Sequence, residues 1–331
     1  MASAQPFAGL SPERILRWAE AAGLAPDGHL FALNSYENRV YRLGLDDGSA
    51  RVLKFYRPER WSDAQILEEH AFTLELAAAE LPVAAPLAIG GQTLLKDQEL
   101  RVAVFPLCPG GAPDVDQPGV LELMGRTLGR WHALGALRPF LRRPTLGGER
   151  LGARARAVVL ASPLLPQALS ARYEALSGQL LAALLAAWDA AEPVSRVRLH
   201  GDCHRGNILW RTAGPVQGPL FVDLDDCMNG PRMQDLWMFL SGTADEQRGQ
   251  WAALMVGYET FSSIDYGELR LIEALRAARM LNHAAWVAER WQDPAFPRAF
   301  PWIAEPRWWE QHCNDLAEQC EAVGEPPLSG S

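Results

Sequence analysis

Residues 199–210 read LHGDCHRGNILW, and a second strand-type run, LFVDLDD, begins ten residues further on. No other feature restricts the chain as much. A His-x-Asp step (His200, Asp202), an Asn five residues after the Asp (Asn207), an apolar strand, a Gly/Pro connector and a second strand closing on Asp223 must share one compact region. Two chemistries ask for such a set. In a metal hydrolase, His200, Asp202 and His204 could ligate zinc. In phosphoryl transfer, the loop aims a hydroxyl while carboxylate and amide oxygens hold the metal that bridges the phosphates. The zinc reading wants a further ligand from another element, no second His/Cys cluster stands out, and Asn207 is left without a task.

The surrounding chain favours the second chemistry. Ser11-Pro12 opens a helix, with Ser as N-cap and Pro at the first helical position, and Gly23 closes it. Strand-type runs follow at 30–33 (LFAL), 39–45 (RVYRLGL) and 51–56 (RVLKFY), joined by NSYEN and by the Gly-containing turn DDGS. Residues 63–80 carry helical spacing (Ile66, Leu67, Phe72, Leu76), with Ser62 or Asp63 as cap. TLLKDQELRVAVF reads as a further hairpin. Composition shifts at CPGGAPDVDQPG (108–119), a Gly/Pro-rich connector. Beyond it the pattern is helical, and strand signal returns only at NILW and LFVDL, a hairpin across RTAGPVQGP. The expected class is α+β and bilobal: a small antiparallel-sheet lobe with one helix over 1–107, a hinge over 108–119, and a larger, mainly helical lobe over 120–331.

Each need of phosphoryl transfer finds a residue type. Asp202 would orient the attacking hydroxyl and accept its proton. Asn207 keeps the H-x-D-x-x-x-x-N spacing of kinase catalytic loops and offers a neutral oxygen to a metal. Asp223 ends its strand where a metal-binding aspartate belongs. Mg²⁺ keeps waters and phosphate oxygens around it, so one or two protein ligands suffice. Lys54, ending VLKF, is placed to reach nucleotide phosphates, and Glu68 or Glu69 in the next helix could hold its ammonium; Glu69 shares a face with Phe72 and Leu76 and is preferred. The turn 34–38 stands where a phosphate loop belongs but has no glycine, so backbone amides and the Ser35 hydroxyl would serve. Phe105 and Leu107 flank the hinge and would offer backbone groups to adenine. Asp235 reads as an N-cap, Trp131 and His132 as core, His200 as support beneath the loop, and Asp225 and Asp226 as surface acids or metal ligands.

Composition excludes rather than selects. The 331 residues carry a net charge of −9, which argues against a nucleic-acid binder. Acidity of this size serves solubility before it selects a cationic substrate. Five cysteines without a CxxC pair suit free thiols in a reducing compartment. The N-terminus shows no basic-then-apolar leader, and the longest apolar run, LLAALLAAW, is less than half a membrane span, so a cytoplasmic chain is expected. No exposed heptad or interface pattern points beyond a monomer.

At HGDCHRGN and VDLDD, with HGD in place of HRD and D-x-D in place of DFG, the chain resembles the aminoglycoside-phosphotransferase and choline-kinase branch of the kinase superfamily. NSYENRVY, KFYRPERW, QILEEH, PVAAP, GNILWR, NGP, QDLWM and DPAFP extend the likeness to bacterial stress-response kinases of the RdoA type, from about Asn34 to EPPL. The resemblance implies a cytoplasmic, autophosphorylating, ATP-dependent Ser/Thr protein kinase. It also implies Asp202 as proton acceptor, Asn207 and Asp223 as Mg²⁺ ligands and Ser35 as an ATP-site residue. A small-molecule kinase acting on an aminoglycoside, choline or homoserine-like hydroxyl shares all these residues, because acceptor choice lies elsewhere. A pseudokinase would lack one of Lys54, Asp202, Asn207 and Asp223, and all four are present. Only eleven residues separate Asp223 from Asp235, which leaves no room for a long activation loop.

Overall fold

The computed structural model describes residues 6–213 and 217–328, leaving aside the side chains of 148 and 149. Part of the RTAGPVQGP connector and the first five residues therefore lie outside the described residues. The chain divides into two compact units, one of residues 1–113 and 206–225, the other of 114–205 and 226–331.

In the first unit, α1 (Pro12–Ala21) starts at Ser11, whose side chain accepts from the Arg14 backbone N–H. β1 (Pro26–Ala32), β2 (Arg39–Leu45), β3 (Ala50–Phe55), β4 (Leu95–Asp97) and β5 (Leu100–Pro106) form one antiparallel sheet in the order β1-β2-β3-β5-β4. Period-2 alternation puts Leu43 and Leu45, Leu53 and Phe55, and Val102 and Val104 on one face. There they bury with Ile15 and Ala19 of α1. Full burial of each large side chain is worth about 1.5–3 kcal/mol before ordering costs. The same alternation sends Lys54, paired in register with Val40 and Ala103, to the opposite face. α2 (Asp63–Ala78) opens on a capping box between Ser62 and Gln65, so Ser62 is the cap.

The hairpin of β7 (Ile208–Arg211) and β8 (Gly218–Phe221) belongs to this unit although it comes a hundred residues later. Backbone hydrogen bonds explain why. Phe221 N–H donates to Pro82 O, Ala84 N–H to Phe221 O, and Trp210 exchanges both bonds with Gly111. A linear reading of the sequence cannot contain such a division.

The second unit holds α3 (Val120–Gly135), α4 (Ala153–Leu160), α5 (Gln167–Ala191), α6 (Met233–Leu236), α7 (Ala244–Tyr258), α8 (Leu271–Glu289), α9 (Ala295–Ala299) and α10 (Pro306–Gly324). α3 and α7 cross at backbone distance: a Cβ on Gly125 would meet Leu254 O at 1.9 Å, and one on Gly257 would meet Glu122 O at 1.9 Å. α5 packs with α8 and α10. Strand also occurs where the sequence pattern showed none: β6 (Val197–Leu199) pairs antiparallel with β9 (Met228–Gly230). Three residues are too few to display a period, so these strands escape pattern reading. Among the described residues no helix is long and apolar enough to cross a membrane.

Candidate functional site

The first unit gathers a cluster of charges around Lys54. Its ammonium lies 2.8 Å from Asp223 Oδ1 and 3.2 Å from Asp225 Oδ1. Burial alone would lower the Lys54 pKa; Asp223 and Asp225 outweigh it and hold the ammonium well above the usual lysine range. Asp223, two residues beyond β8, is in the left-handed region (φ 58°), which a non-glycine residue adopts only against steric resistance. Its side chain is 52% exposed, whereas that of Lys54 is 7% exposed. One oxygen therefore fixes the lysine while the carboxylate stays open to solvent. Asn207 ends a short 3-10 turn before β7, and its carbonyl accepts from the Val222 N–H at 3.0 Å, one residue before Asp223.

Of the two sequence readings of Asp225, surface acid or metal ligand, the first does not hold: it is 2% exposed. Its Oδ2 accepts from Asn38 Nδ2 at 3.1 Å and from the Arg60 guanidinium. Asn38 in turn accepts, through Oδ1, the Arg57 backbone N–H at 3.0 Å. The Ser35 hydroxyl donates to Asn38 O at 3.0 Å. The glycine-free turn 34–38 is thus held by side chains instead of by glycine conformations.

Glu69 is buried, but the lysine's ion-pair partners are Asp223 and Asp225 rather than Glu69, which acts on Lys54 only through its field. Helix α2 and the segment after β8 both supply acids to this region, and Asp223 and Asp225 are nearer. Phe105 sits in β5 opposite Val52 with its ring edge-on to His70, and Leu107 is exposed beyond the strand.

The second unit builds the Asp202 loop from beneath. Asp235, expected as an N-cap, is fully buried, and α6 starts instead after Arg232. Its carboxylate accepts the backbone N–H groups of His200 and Gly201, each at 2.8 Å. Gln234 Nε2 donates to Gly201 O at 2.8 Å. Gly201 has φ 87°, and a Cβ there would meet Asp226 O at 2.1 Å, so only glycine fits. His132, core as expected, donates Nε2–H to Asp235 at 3.2 Å and accepts at Nδ1 from the Tyr258 hydroxyl at 2.8 Å. Behind α6, Glu268 accepts the Met233 N–H at 3.0 Å; burial raises its pKa to about 7.

Asp202 itself is gripped on both oxygens. The Arg279 guanidinium of α8 donates to Oδ1, and His204 Nε2 lies 3.4 Å from Oδ2. Burial works against its ionisation, but the His204 hydrogen bond and Arg279 offset it and hold the carboxyl well below the usual range. Asp202 is therefore an anion at any physiological pH. Among the described residues no three His, Cys, Asp or Glu side chains converge as a metal set, which removes support from the zinc reading.

Sequence reasoning put Asn207 and Asp223 with Asp202 in the lobe 120–331 and Lys54 in the lobe 1–107; in the structure Lys54, Asn207 and Asp223 lie in one unit and Asp202 in the other. It missed the roles of Asp225, Arg60, Asp235 and Arg279. VDLDD and QDLW advertise two of these as acids, but nothing local says which of them is buried.

Residues 30–272 match the model of the phosphotransferase enzyme family. Stress response kinase A of Escherichia coli K12 is 45% identical over 326 residues, covering 98% of this chain and 97% of the relative. A serine/threonine protein kinase RdoA of Salmonella typhimurium LT2 is 45% identical over 322 residues, covering 97% and 96%. Among solved structures, an amicoumacin kinase complexed with AMP-PNP, Ca²⁺ and amicoumacin superposes with a TM-score of 0.71 at 17% identity, covering 96% of this chain and 95% of the other. A microcompartment-associated aminopropanol kinase gives 0.70 at 17% identity, covering 94% and 96%.

Proposed function

The chain belongs to the phosphotransferase enzyme family, and from that premise we propose that it is a cytoplasmic, ATP-dependent Ser/Thr protein kinase of a stress response. The observation that carries the reading is the buried Lys54 ammonium fixed 2.8 Å from a half-exposed Asp223. A positive group for phosphate and a carboxylate for a divalent cation are thereby presented side by side.

Lys54 and the turn at Ser35 take the nucleotide phosphates, and the backbone at Phe105 and Leu107 takes the base. Asn207 and Asp223 supply hard oxygen donors, which suit Mg²⁺, and Asp223 leaves its carboxylate accessible for it. When bound, the cation neutralises charge on the transferring phosphoryl group. The acceptor hydroxyl oxygen bonds to the γ-phosphorus as the bridging P–O bond breaks, and ADP leaves with that electron pair. Asp202 orients the hydroxyl and receives its proton. Asp235, through His200 and Gly201, keeps the loop in place.

Protein acceptors are favoured by the names of relatives 45% identical over nearly the full length. A small-molecule acceptor is the second reading, favoured by the amicoumacin and aminopropanol kinases that share the fold. Transfer from γ-labelled ATP with Mg²⁺ separates them. Label on protein Ser or Thr, absent from Asp202→Ala, supports the first. Label found only on small hydroxyl compounds overturns it and leaves the phosphotransferase intact.

A further inference from the structure

We propose that Tyr56 and His70 are positioning residues for the nucleotide phosphates: a buried Thr93–His70–Tyr56 relay fixes an aromatic ring against the Lys54 ammonium. The proposal rests on the reading above in which Lys54 takes those phosphates, and adds what aims the lysine at them.

The relay lies wholly within the first unit. Tyr56 stands one residue past β3, and its N–H donates to Arg101 O at 2.9 Å, so the pairing with β5 continues through it. Period-2 alternation then puts Tyr56 on the same face as Lys54. The Lys54 ammonium lies 4.9 Å from the centroid of the Tyr56 ring. Tyr56 Oη is 2.8 Å from His70 Nε2, and His70 Nδ1 is 3.0 Å from Thr93 Oγ1. Tyr56 and His70 are 2% and 1% exposed. The Phe105 ring meets His70 edge-on at 6.2 Å and closes the other side.

The direction of the hydrogen bonds follows from acidity. A phenol is a stronger acid than an aliphatic hydroxyl, so Tyr56 O–H donates to Nε2 and the Nδ1–H donates to Thr93. Burial, and after it Lys54, pushes the His70 pKa down to about 3. The imidazole therefore adds no charge beside the lysine.

Helix α2 thus reaches Lys54 through a ring as well as through the field of Glu69. The two differ in consequence. A carboxylate holds an ammonium by neutralising it. A ring face attracts the cation through its quadrupole, most strongly where water is excluded, and leaves the formal charge and the N–H groups for other partners. Asp223 must also face the divalent cation of the proposed reaction, so its hold on Lys54 is the exchangeable one. The ring, pinned by His70 and Thr93, stays.

The test uses the full chain and calorimetric titration with two probes, AMP-PNP with Mg²⁺ and adenosine, which has no phosphate. Tyr56→Leu removes the ring and should weaken AMP-PNP about tenfold while leaving adenosine unchanged. Tyr56→Phe, the variant that disturbs the fold least, keeps the ring but unties it, and should weaken AMP-PNP about threefold. His70→Gln offers the phenol an amide oxygen and should hold AMP-PNP close to wild type, where His70→Leu behaves as Tyr56→Phe. In a Lys54→Met background neither Tyr56 variant should cost anything further. An AMP-PNP affinity indifferent to Tyr56→Phe overturns the proposal and leaves Lys54 on the phosphates. Equal losses for both probes, or the same loss in the Lys54→Met background, overturn it too, because the ring would then serve packing alone. An AMP-PNP affinity unchanged by Lys54→Met itself overturns the nucleotide reading of Lys54 and the proposal together.

Discussion

Asp225 and Asp202 are both carboxylates gripped by an arginine, one in each unit, yet they are built for opposite purposes. The Asp225 side chain is 3% exposed and faces Lys54, Arg60 and Asn38. The Asp202 side chain is 27% exposed, and its partner Arg279 is 42% exposed. A buried anion ringed by donors sets geometry and can exchange none of its partners cheaply. A half-open anion held by an exposed arginine can accept a hydroxyl by letting a partner shift. The difference separates a residue that shapes the turn 34–38 from one that, in the proposed kinase, would meet the reacting group.

Asp202→Asn breaks the comparison most severely. The amide cannot take the acceptor's proton, and transfer should fall about 10²–10⁴-fold, the range for losing a positioned acid or base. Nucleotide affinity and melting temperature should stay close to wild type, since Lys54 and Asp223 belong to the other unit. Retention of more than a tenth of the activity would remove Asp202 from the chemistry.

Asp225→Ala should do the reverse, costing stability first. It leaves Lys54 and Arg60 short of a buried counter-charge, a loss of about 3–5 kcal/mol for a broken buried pair. Asp223 still faces Lys54 and tempers it. A large fall in the urea midpoint with unchanged m-value is the expected reading. A variant as stable as wild type would mean that Asp225 is no anchor.

These two acids also show what the sequence could and could not disclose. The strands at 39–45 and 51–56, the Ser62 cap and the Lys54 face follow from period, turn chemistry and alternation, all local properties. Asp202, Asn207 and Asp223 could be singled out as candidates because their spacing along the chain carries the motif. Asp225 was not, because the partner that buries it, Asn38, is 187 residues away. Arg279 meets Asp202 across 77 residues, and Asp235 was misread as a cap because an aspartate opening a helix is usually one. In each case the residue type was visible, but its burial depended on a contact that no local pattern encodes.

Glu268 sharpens the comparison as an acid whose environment favours the proton. Its pKa rises from 4.5 to about 7, chiefly through burial. The folded state therefore binds this proton more tightly than the unfolded chain. The stabilising contribution is complete below about pH 4.5 and is lost as pH climbs through about 7. At one pKa unit per 1.36 kcal/mol, up to about 3 kcal/mol is at stake. Glu268→Gln still accepts from Met233 and has no charge to bury. It should match wild type near pH 5 and exceed it by pH 8, flattening the stability profile; parallel profiles for the two proteins would count against the assignment.

Ser35→Ala is the smallest change and probes how far the Asp225 network extends. The hydroxyl donates to Asn38 O, and Asn38 reaches Asp225 and Arg57. If Ser35 only fastens the turn, its loss is worth about 1 kcal/mol, the net value of one neutral hydrogen bond. That would appear as a fall in melting temperature and a rise of about fivefold in the KM for ATP, with kcat little changed. If the hydroxyl instead turns to a phosphate oxygen, a charged hydrogen bond worth about 1.5–3 kcal/mol is lost. The KM for ATP then rises by an order of magnitude or more, and the melting temperature without nucleotide does not move. Ser35→Thr keeps the hydroxyl and should restore whichever quantity moved. The glycine-free turn makes the first outcome the expected one, because the Asn38 contacts must supply the rigidity that glycine conformations give elsewhere. Asp225 would then govern nucleotide binding through Asn38 and Ser35 without touching the nucleotide.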